Sequence, residues 1–371
     1  MHLPISNGSS ATSAAPDTND WRWQLRHAVR SAGELATKLE LTTAELEGAC
    51  AAEAQGFPLA ITPYYLSLCD PKDPQCPLRR QVVPHASEAV STRGDLRDPL
   101  GEEAHEVAPE LVQRYPDRAL LLVTDRCAVY CRFCTRSRMV GNGGGPRSEE
   151  RLAGAFAYLE AHPEIRDVIV SGGDPLAMST ERLVRVVTRL RAVPSVETIR
   201  LATRVPVALP QRITDELLHA LRPHHPLWVM THFNHPKELT AEACAALRRL
   251  ADAGFPVMNQ SVLLRGINDD SSVLTTLFRG LVRERVRPYY LLQADPVRGT
   301  GHLRTPLATG IRIMEELQGR LSGIALPKLI VDTPGGMGKV PVGPSWVVHH
   351  SPGVTRFRTP RGVEVDYIDP E

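Results

Sequence analysis

Three things are missing from this chain, and each absence closes off a class of function. No apolar run approaches the length needed to cross a bilayer. Charge is balanced, with 43 basic residues against 42 acidic ones and a net charge of +1, which leaves no electrostatic footprint for nucleic acid or an anionic membrane. The opening stretch from Met1 to Asp20 has neither the basic start nor the apolar middle of a secretory signal. A cytoplasmic protein is therefore expected. Its seven cysteines then suit a reducing compartment better than a disulfide framework.

What is present is enough to build a large core, since 42% of 371 residues are apolar. Residues 1–20 are rich in Ser, Ala, Asn, Asp and Pro and are expected to be disordered. Residues 21–110 read as a helical N-terminal region. Apolar residues recur at helical spacing over Trp21–Leu39 and Thr42–Gln55, and Thr42-Thr-Ala-Glu45 has the form of a capping box. From Phe57 to Glu110 prolines and charges break any period, which predicts short helices and extended pieces.

After Ala119 strands and helices alternate. Strands are predicted at 119–124, 167–171, 197–202, 227–231, 256–263, 287–293 and 328–332, with helices at 149–161, 179–192, 211–221, 239–253, 271–284 and 307–322. This alternation predicts an α/β fold, a partial (β/α)6 barrel of the TIM-like kind over residues 111–325 with a C-terminal segment at 326–371. Chemistry in such barrels lies on the loops after the strands. The unusual polar residues do follow predicted strands: Ser171-Gly-Gly-Asp174, Thr203-Arg204, His232-Phe-Asn-His235, Asp295 and Asp332, with Asn259 and Gln260 inside the fifth.

The first strand, with Leu120, Leu121, Leu122 and Val123 in a row, suits burial on both faces, and it leads into Cys127, Cys131 and Cys134. Three thiolates at this spacing can hold three irons of a four-iron cube and leave the fourth open to a small molecule. A structural zinc site would need four ligands and usually paired C-x2-C elements. Gly172 and Gly173, lacking side chains where a strand ends, would let a ligand approach the backbone. Pro334-Gly-Gly-Met-Gly-Lys339 is not a phosphate-binding Walker loop, because Thr333 stands at its first glycine and Val340 at its hydroxyl residue. A lysine on a flexible glycine run can form a Schiff base with pyridoxal phosphate (PLP) if its ammonium is desolvated, although an exposed loop lysine is the simpler reading of those residues alone. His232, His235, His224 and His225 have no typical metal-ligand spacing.

The C-x3-C-x2-C triplet after a strand resembles the radical S-adenosylmethionine (SAM) enzymes. Tyr115-Pro-Asp-Arg118, Tyr130-Cys-Arg-Phe-Cys-Thr-Arg136 and Pro334-Gly-Gly-Met-Gly-Lys339 together resemble the lysine 2,3-aminomutase family over about Trp21 to Val354. The resemblance implies a [4Fe-4S] cluster on the three cysteines, with SAM held near Gly172, Gly173, Asp174, His232 and Gln260. Asn234 and Arg204 are second-rank candidates there. It further implies PLP on Lys339, with its phosphate at Arg114, Tyr115 and Arg118, where guanidinium forks suit the task. Arg136 matches the partner of the substrate carboxylate, and Asp295 with Asp332 the pair that binds a lysine ε-ammonium. Arg132 and Arg138 are left to surface or cluster-screening roles. The implied activity moves the α-amino group of an amino acid, foremost L-lysine, to Cβ. Arginine or another amino acid, a lysyl residue on a translation factor, and a non-catalytic Fe-S sensor are the alternatives. A low-potential donor such as flavodoxin or ferredoxin, and a homo-oligomer, are also implied. Relatives with a long tail carry a structural zinc with a cysteine after the R-G-x-N-D segment. Here Asp270 follows Arg265-Gly-Ile-Asn-Asp269 and no cysteine follows Cys244, so zinc is not expected.

Overall fold

The computed structural model describes residues 17–54, 57–141 and 143–370. Its centre is a run of seven parallel strands that neighbour one another in chain order: β3 (Arg118–Thr124), β4 (Asp167–Gly172), β5 (Thr198–Ala202), β6 (Leu227–Thr231), β7 (Val257–Leu263), β8 (Arg287–Gln293) and β9 (Lys328–Thr333). β1 (Glu106–Ala108) and β2 (Leu111–Tyr115) precede them, and β10 (Gly338–Val342) follows. Between the parallel strands run helices Glu149–Ala161, Thr180–Ala192, Asp215–Leu221, Ala241–Asp252, Ser271–Arg283 and Leu307–Leu317. Ser148, Ser179, Thr214, Thr240 and Asp270 cap the first five by accepting a backbone N–H, which is why each helix begins where it does. The expected partial barrel is thus present, with its core formed by strand residues such as Leu121, Val170, Ile199 and Leu201 against helix residues such as Phe156, Leu183 and Leu247.

Three features differ from the sequence expectation. Trp21–Leu39 is not one helical stretch but two short helices, Trp21–Arg26 and Ala32–Ala36, because Val29 between them exchanges backbone hydrogen bonds with Ile61. The predicted 211–221 helix shortens to Asp215–Leu221, preceded by turns at Val205–Ala208 and Pro210–Arg212. The sheet also gains antiparallel strands at both ends, β2 with β1 beside β3 and β10 beside β9. The third helix, Thr43–Ala54, and its capping box agree with the expectation for Thr42–Gln55 up to Gln55, which lies outside the described residues. Of the segment expected to be disordered, residues 1–16 lie outside them too, while Asp20 already caps the first helix.

The two ends of the sheet approach each other. Arg114 Nη2 on β2 donates to Asp332 Oδ1 on β9 at 3.0 Å, and the Tyr115 hydroxyl accepts from the Lys339 backbone N–H at 2.9 Å. Side chains, not a backbone ladder, span the gap. The N-terminal region braces the cysteine loop instead, through Tyr130 N to Ala60 O at 3.0 Å and Arg132 N to Gln81 O at 2.8 Å. Beyond the barrel, β11 (Val347–Ser351), β12 (Val354–Arg358) and β13 (Glu364–Ile368) form a separate antiparallel sheet, tied back by Arg358 to Glu315 at 3.2 Å.

Candidate active site

From the carboxyl ends of the parallel strands into the barrel interior runs a chamber of two joined cavities, of about 270 and 360 Å³, the larger reaching Arg118–Leu120 at the start of β3. Arg136, Ser171, Gln260, Asp332 and Lys339 line both. The smaller cavity holds Cys127, Cys131 and Cys134 together with Gly172, Gly173, Asp174, His232 and Asp295. The larger holds Arg114, Tyr115 and Arg118. The residues assigned to the cluster, SAM, PLP and substrate therefore reach one chamber, from positions as far apart as 114 and 339, but second-rank Asn234 does not, because its side chain is buried on Gln81 Oε1 and Val262 N.

On the cysteine side, burial pushes the Cys127 thiol well up and that of Cys134 up to about 11, with neighbouring negative groups adding to the effect. Such sulfurs become thiolates only with strong positive charge beside them, which iron supplies. Cys131 Sγ accepts from Arg204 Nη1 at 2.6 Å, and Cys134 Sγ from the Arg136 backbone N–H at 3.4 Å. Two buried nitrogens in the same cavity, His232 Nε2 and Arg204 Nε, have no protein partner. His232 is pushed down to about 3, first by burial and then by the Arg204 charge, so its ring is neutral and can hydrogen-bond a polar ligand. Three sulfurs, unpaired nitrogens and room beside them fit a cluster with SAM at its open iron.

The glycines act differently from expectation. Gly172 has φ +114°, and a Cβ on it would overlap the Thr124 carbonyl oxygen, while one on Gly173 would overlap that of Arg126. The missing side chains make room for the chain's own backbone, through Gly173 N to Thr124 O at 2.6 Å and Asp174 N to Arg126 O at 2.8 Å. Asp174 is likewise engaged, accepting from Thr203 Oγ1 and Arg204 N, both at 2.7 Å, and from Leu176 N at 3.0 Å. Burial nevertheless raises its carboxyl to about 6.

On the other side, the Pro334–Gly338 run is a tight reversal between β9 and β10 rather than a flexible loop, with positive φ at Gly335, Gly336 and Gly338. Its register sets Lys339 directly opposite Asp332, and the Lys339 ammonium pairs with the Asp332 carboxylate. Arg114 joins them, its remaining arm donating to Leu100 O at 2.9 Å, so its fork is already committed. Arg118 stacks on the Tyr115 ring at 4.0 Å with its charge facing the larger cavity. Arg200, Tyr289 and Tyr290 face the same cavity and were not singled out in the sequence. Their only sequence signal is polarity at a strand position, Arg200 between Ile199 and Leu201. Arg200 Nε is held by Asp167 at 2.9 Å, while its Nη atoms carry no hydrogen bond among the described residues. Arg118, Arg200 and Lys339 around one cavity fit a phosphorylated, aldehyde-bearing cofactor, two guanidinium groups for the phosphate and an amine for the carbonyl.

Asp295 and Asp332 line the same cavity. Burial, then the Asp332 charge, pushes the Asp295 carboxyl up to about 7. Arg136, across the chamber, is clamped by Glu102 through Nε at 2.8 Å and Nη2 at 2.7 Å, leaving Nη1 toward Ser171 Oγ at 3.3 Å. Burial works to raise the Glu102 carboxyl, but Arg136 and Arg138 outweigh it and hold it below the usual carboxylate range. Glu102 escaped the sequence reading because it lies in an irregular acidic stretch. Arg132 and Arg138 are not surface residues. The first is buried on Glu88 and the carbonyls of Phe57 and Pro58, and the second pairs with Asp98, Glu102 and Glu103.

Comparison with known proteins identifies the family. Residues 121–276 match the Radical SAM superfamily, and residues 314–371 match a family described as lysine-2,3-aminomutase. The L-lysine 2,3-aminomutase of Clostridium subterminale is 47% identical over 354 residues, covering 95% of this chain and 85% of that one. That of Bacillus subtilis is 46% identical over 95% of this chain and 75% of its own. The glutamate 2,3-aminomutase of Clostridioides difficile is 40% identical over 99% and 85%. A solved radical SAM methyltransferase from Sphaerobacter thermophilus overlaps loosely, at 21% identity and a TM-score of 0.45 over 60% of this chain and 68% of that one, and carries no part of the assignment. This chain belongs to the lysine 2,3-aminomutase family of radical SAM enzymes, isomerases that act on amino acids with a [4Fe-4S] cluster, SAM and PLP.

Proposed function

We propose that the enzyme converts L-lysine to β-lysine by moving the α-amino group to Cβ. The observation that carries this reading is the meeting of Asp295 and Asp332 in the chamber that also holds Arg136 and Lys339. Cys127, Cys131 and Cys134 would hold the cluster, with SAM beside His232 and Gln260, and Lys339 would hold PLP, its phosphate at Arg118 and Arg200. When bound, these groups supply a hydrogen-abstracting radical and a π system over which nitrogen migrates.

The chain's own part is charge placement. Arg136, fixed by Glu102 on one edge, offers its Nη1 side to the substrate carboxylate. Joined to the cofactor, Lys339 would no longer bring an ammonium to Asp332. Asp332 then keeps only Arg114, next to an Asp295 that holds its proton near neutral pH. A substrate ε-ammonium replaces the lost charge, and Asp295 releases its proton to solvent as the cation arrives. Buried apolar walls such as Leu100 and Val112 limit water around the reacting centre. Glutamate fits poorly, because a second carboxylate would face two aspartates. Arginine is the competing substrate, since a guanidinium also satisfies paired carboxylates.

The reading extends to a cytoplasmic enzyme fed by a low-potential electron donor such as flavodoxin or ferredoxin and assembled as a homo-oligomer. No helix among the described residues is long and apolar enough to cross a membrane. Anaerobic incubation with SAM, PLP, dithionite and lysine, arginine or glutamate separately, followed by product identification, tests the substrate. β-Lysine should form fastest, and a higher kcat/KM for arginine would overturn the assignment.

A further inference from the structure

Arg204 follows β5 and is 7% exposed, yet it takes no part in the charge placement described above. Its guanidinium is held on several sides. Nη2 donates to Gln81 Oε1 at 2.6 Å, to Glu238 Oε1 at 2.8 Å and to the Tyr65 hydroxyl at 3.4 Å, and Nη1 donates to Cys131 Sγ at 2.6 Å. The partners are themselves fixed. Glu238 also accepts from Asn234 N at 2.6 Å and Gln81 Nε2 at 3.0 Å, and Gln81 Oε1 accepts from Asn234 Nδ2 at 3.0 Å. Among the described residues, no other side chain donates a hydrogen bond to a sulfur of the three cysteines.

We propose that Arg204 is a positioning residue that sets the reduction potential of the cluster through the sulfur of Cys131. The proposal rests on the reading that the three cysteines hold the cluster. A guanidinium cannot lose its charge in a protein, so it is a permanent cation on one ligating sulfur. Reduction adds an electron to the cluster, and a nearby cation with a hydrogen bond to sulfur stabilises that added charge, raising the potential. Glu238 neutralises the arginine overall but lies on its Nη2 edge, while the Nη1 edge faces Cys131. The buried pair is therefore a dipole with its positive end toward the metal site, where low polarity strengthens its effect. Tyr65 and Gln81 belong to the N-terminal region, which gives that region a part in the chemistry as well as in bracing the barrel.

Redox titration of anaerobically reconstituted enzyme, followed by electron paramagnetic resonance of the reduced cluster, tests this. Wild-type protein should hold four irons per chain, and failure there sinks the cysteine assignment rather than this proposal. Arg204→Gln should shift the midpoint to more negative potential. Glu238→Gln, which leaves the cation without its counter-charge, should shift it to more positive potential. A merely structural role would not move the two variants in opposite directions. Unchanged midpoints, shifts of the same sign, or loss of iron from both variants would overturn the proposal. If Arg204→Gln alone cannot hold iron, Glu238→Gln decides it, a positive shift supporting the tuning role and any other result ending it.

Discussion

On the cysteine side of the chamber, polar side chains are pinned by several partners each. Asp174 accepts from Thr203, Arg204 and Leu176, and Glu238 from Tyr65, Gln81, Asn234, His235 and Arg204. On the lysine side, charges meet in pairs that a ligand can exchange. Lys339 rests on Asp332, Asp295 is held near its titration point, and Arg118 is 38% exposed. The difference follows from what each side must do. On the proposed assignment, a cluster on the cysteines would need a ligand set that does not move, whereas amino acids would enter and leave beside PLP at every turnover, and their charges would have to displace others of the same sign.

The comparison can be broken most severely at the cysteines. Replacing Cys127, Cys131 or Cys134 by Ala should abolish turnover and lower the iron content, and a fully active variant would refute the assignment. Metal analysis of the wild-type enzyme should find iron without stoichiometric zinc, and about one chelator-resistant zinc per chain would contradict this. Lys339→Ala should remove turnover to a comparable degree, by about a thousandfold or more, yet leave iron untouched. Borohydride reduction of the wild type with peptide mapping should place the cofactor on Lys339, and a label on Lys328 would break the distinction between the two sides.

Next in size are the aspartates. Asp332→Asn is expected to cost about 2–5 kcal/mol in kcat/KM for lysine, on the order of 30- to 5,000-fold, because it strips a buried charge from its partners. Asp295→Asn should cost less, about tenfold to a hundredfold, and neither change should alter iron or PLP content. With the Asp295 carboxyl raised to about 7, the wild-type KM for lysine should fall as pH rises through that value, and the Asn variant should lose this dependence. The raised carboxyl also has a stability consequence. Its folded state disfavours the carboxylate, so its contribution falls as pH rises from the unfolded Asp range through about 7. Asp295→Asn should therefore raise the melting temperature of the ligand-free enzyme most at pH 8 and progressively less toward pH 4. The smallest effect is expected far from the chamber, where Thr42→Ala removes the Thr42–Glu45 capping box and should cost about 1 kcal/mol of stability by chemical denaturation, with metal and PLP content unchanged.

The amino-acid sequence by itself determined the parallel strands, the helices between them and the cysteine loop, because those depend on apolar periodicity, N-cap residues and short spacings that are local in the chain. The family resemblance carried by its motifs marked Lys339, Asp295 and Asp332, which residue type and position alone leave as a loop lysine and loop acids. Strands β2 and β10 were not legible, since short half-exposed strands such as Gly338–Val342 carry no strong period and exist through their neighbours. What only the tertiary structure decided is how the charges pair. The two ends of the sheet come together across more than two hundred residues, so that Arg114 commits its fork to Asp332 and the β9–β10 register brings Lys339 to the same carboxylate. Arg136 meets Glu102, Arg204 meets Cys131, and Arg200, Tyr289 and Tyr290 join the larger cavity, in each case through side chains from separate elements that converge only when the barrel forms. Charge pairing depends on distance in space, and spacing along the chain does not encode it.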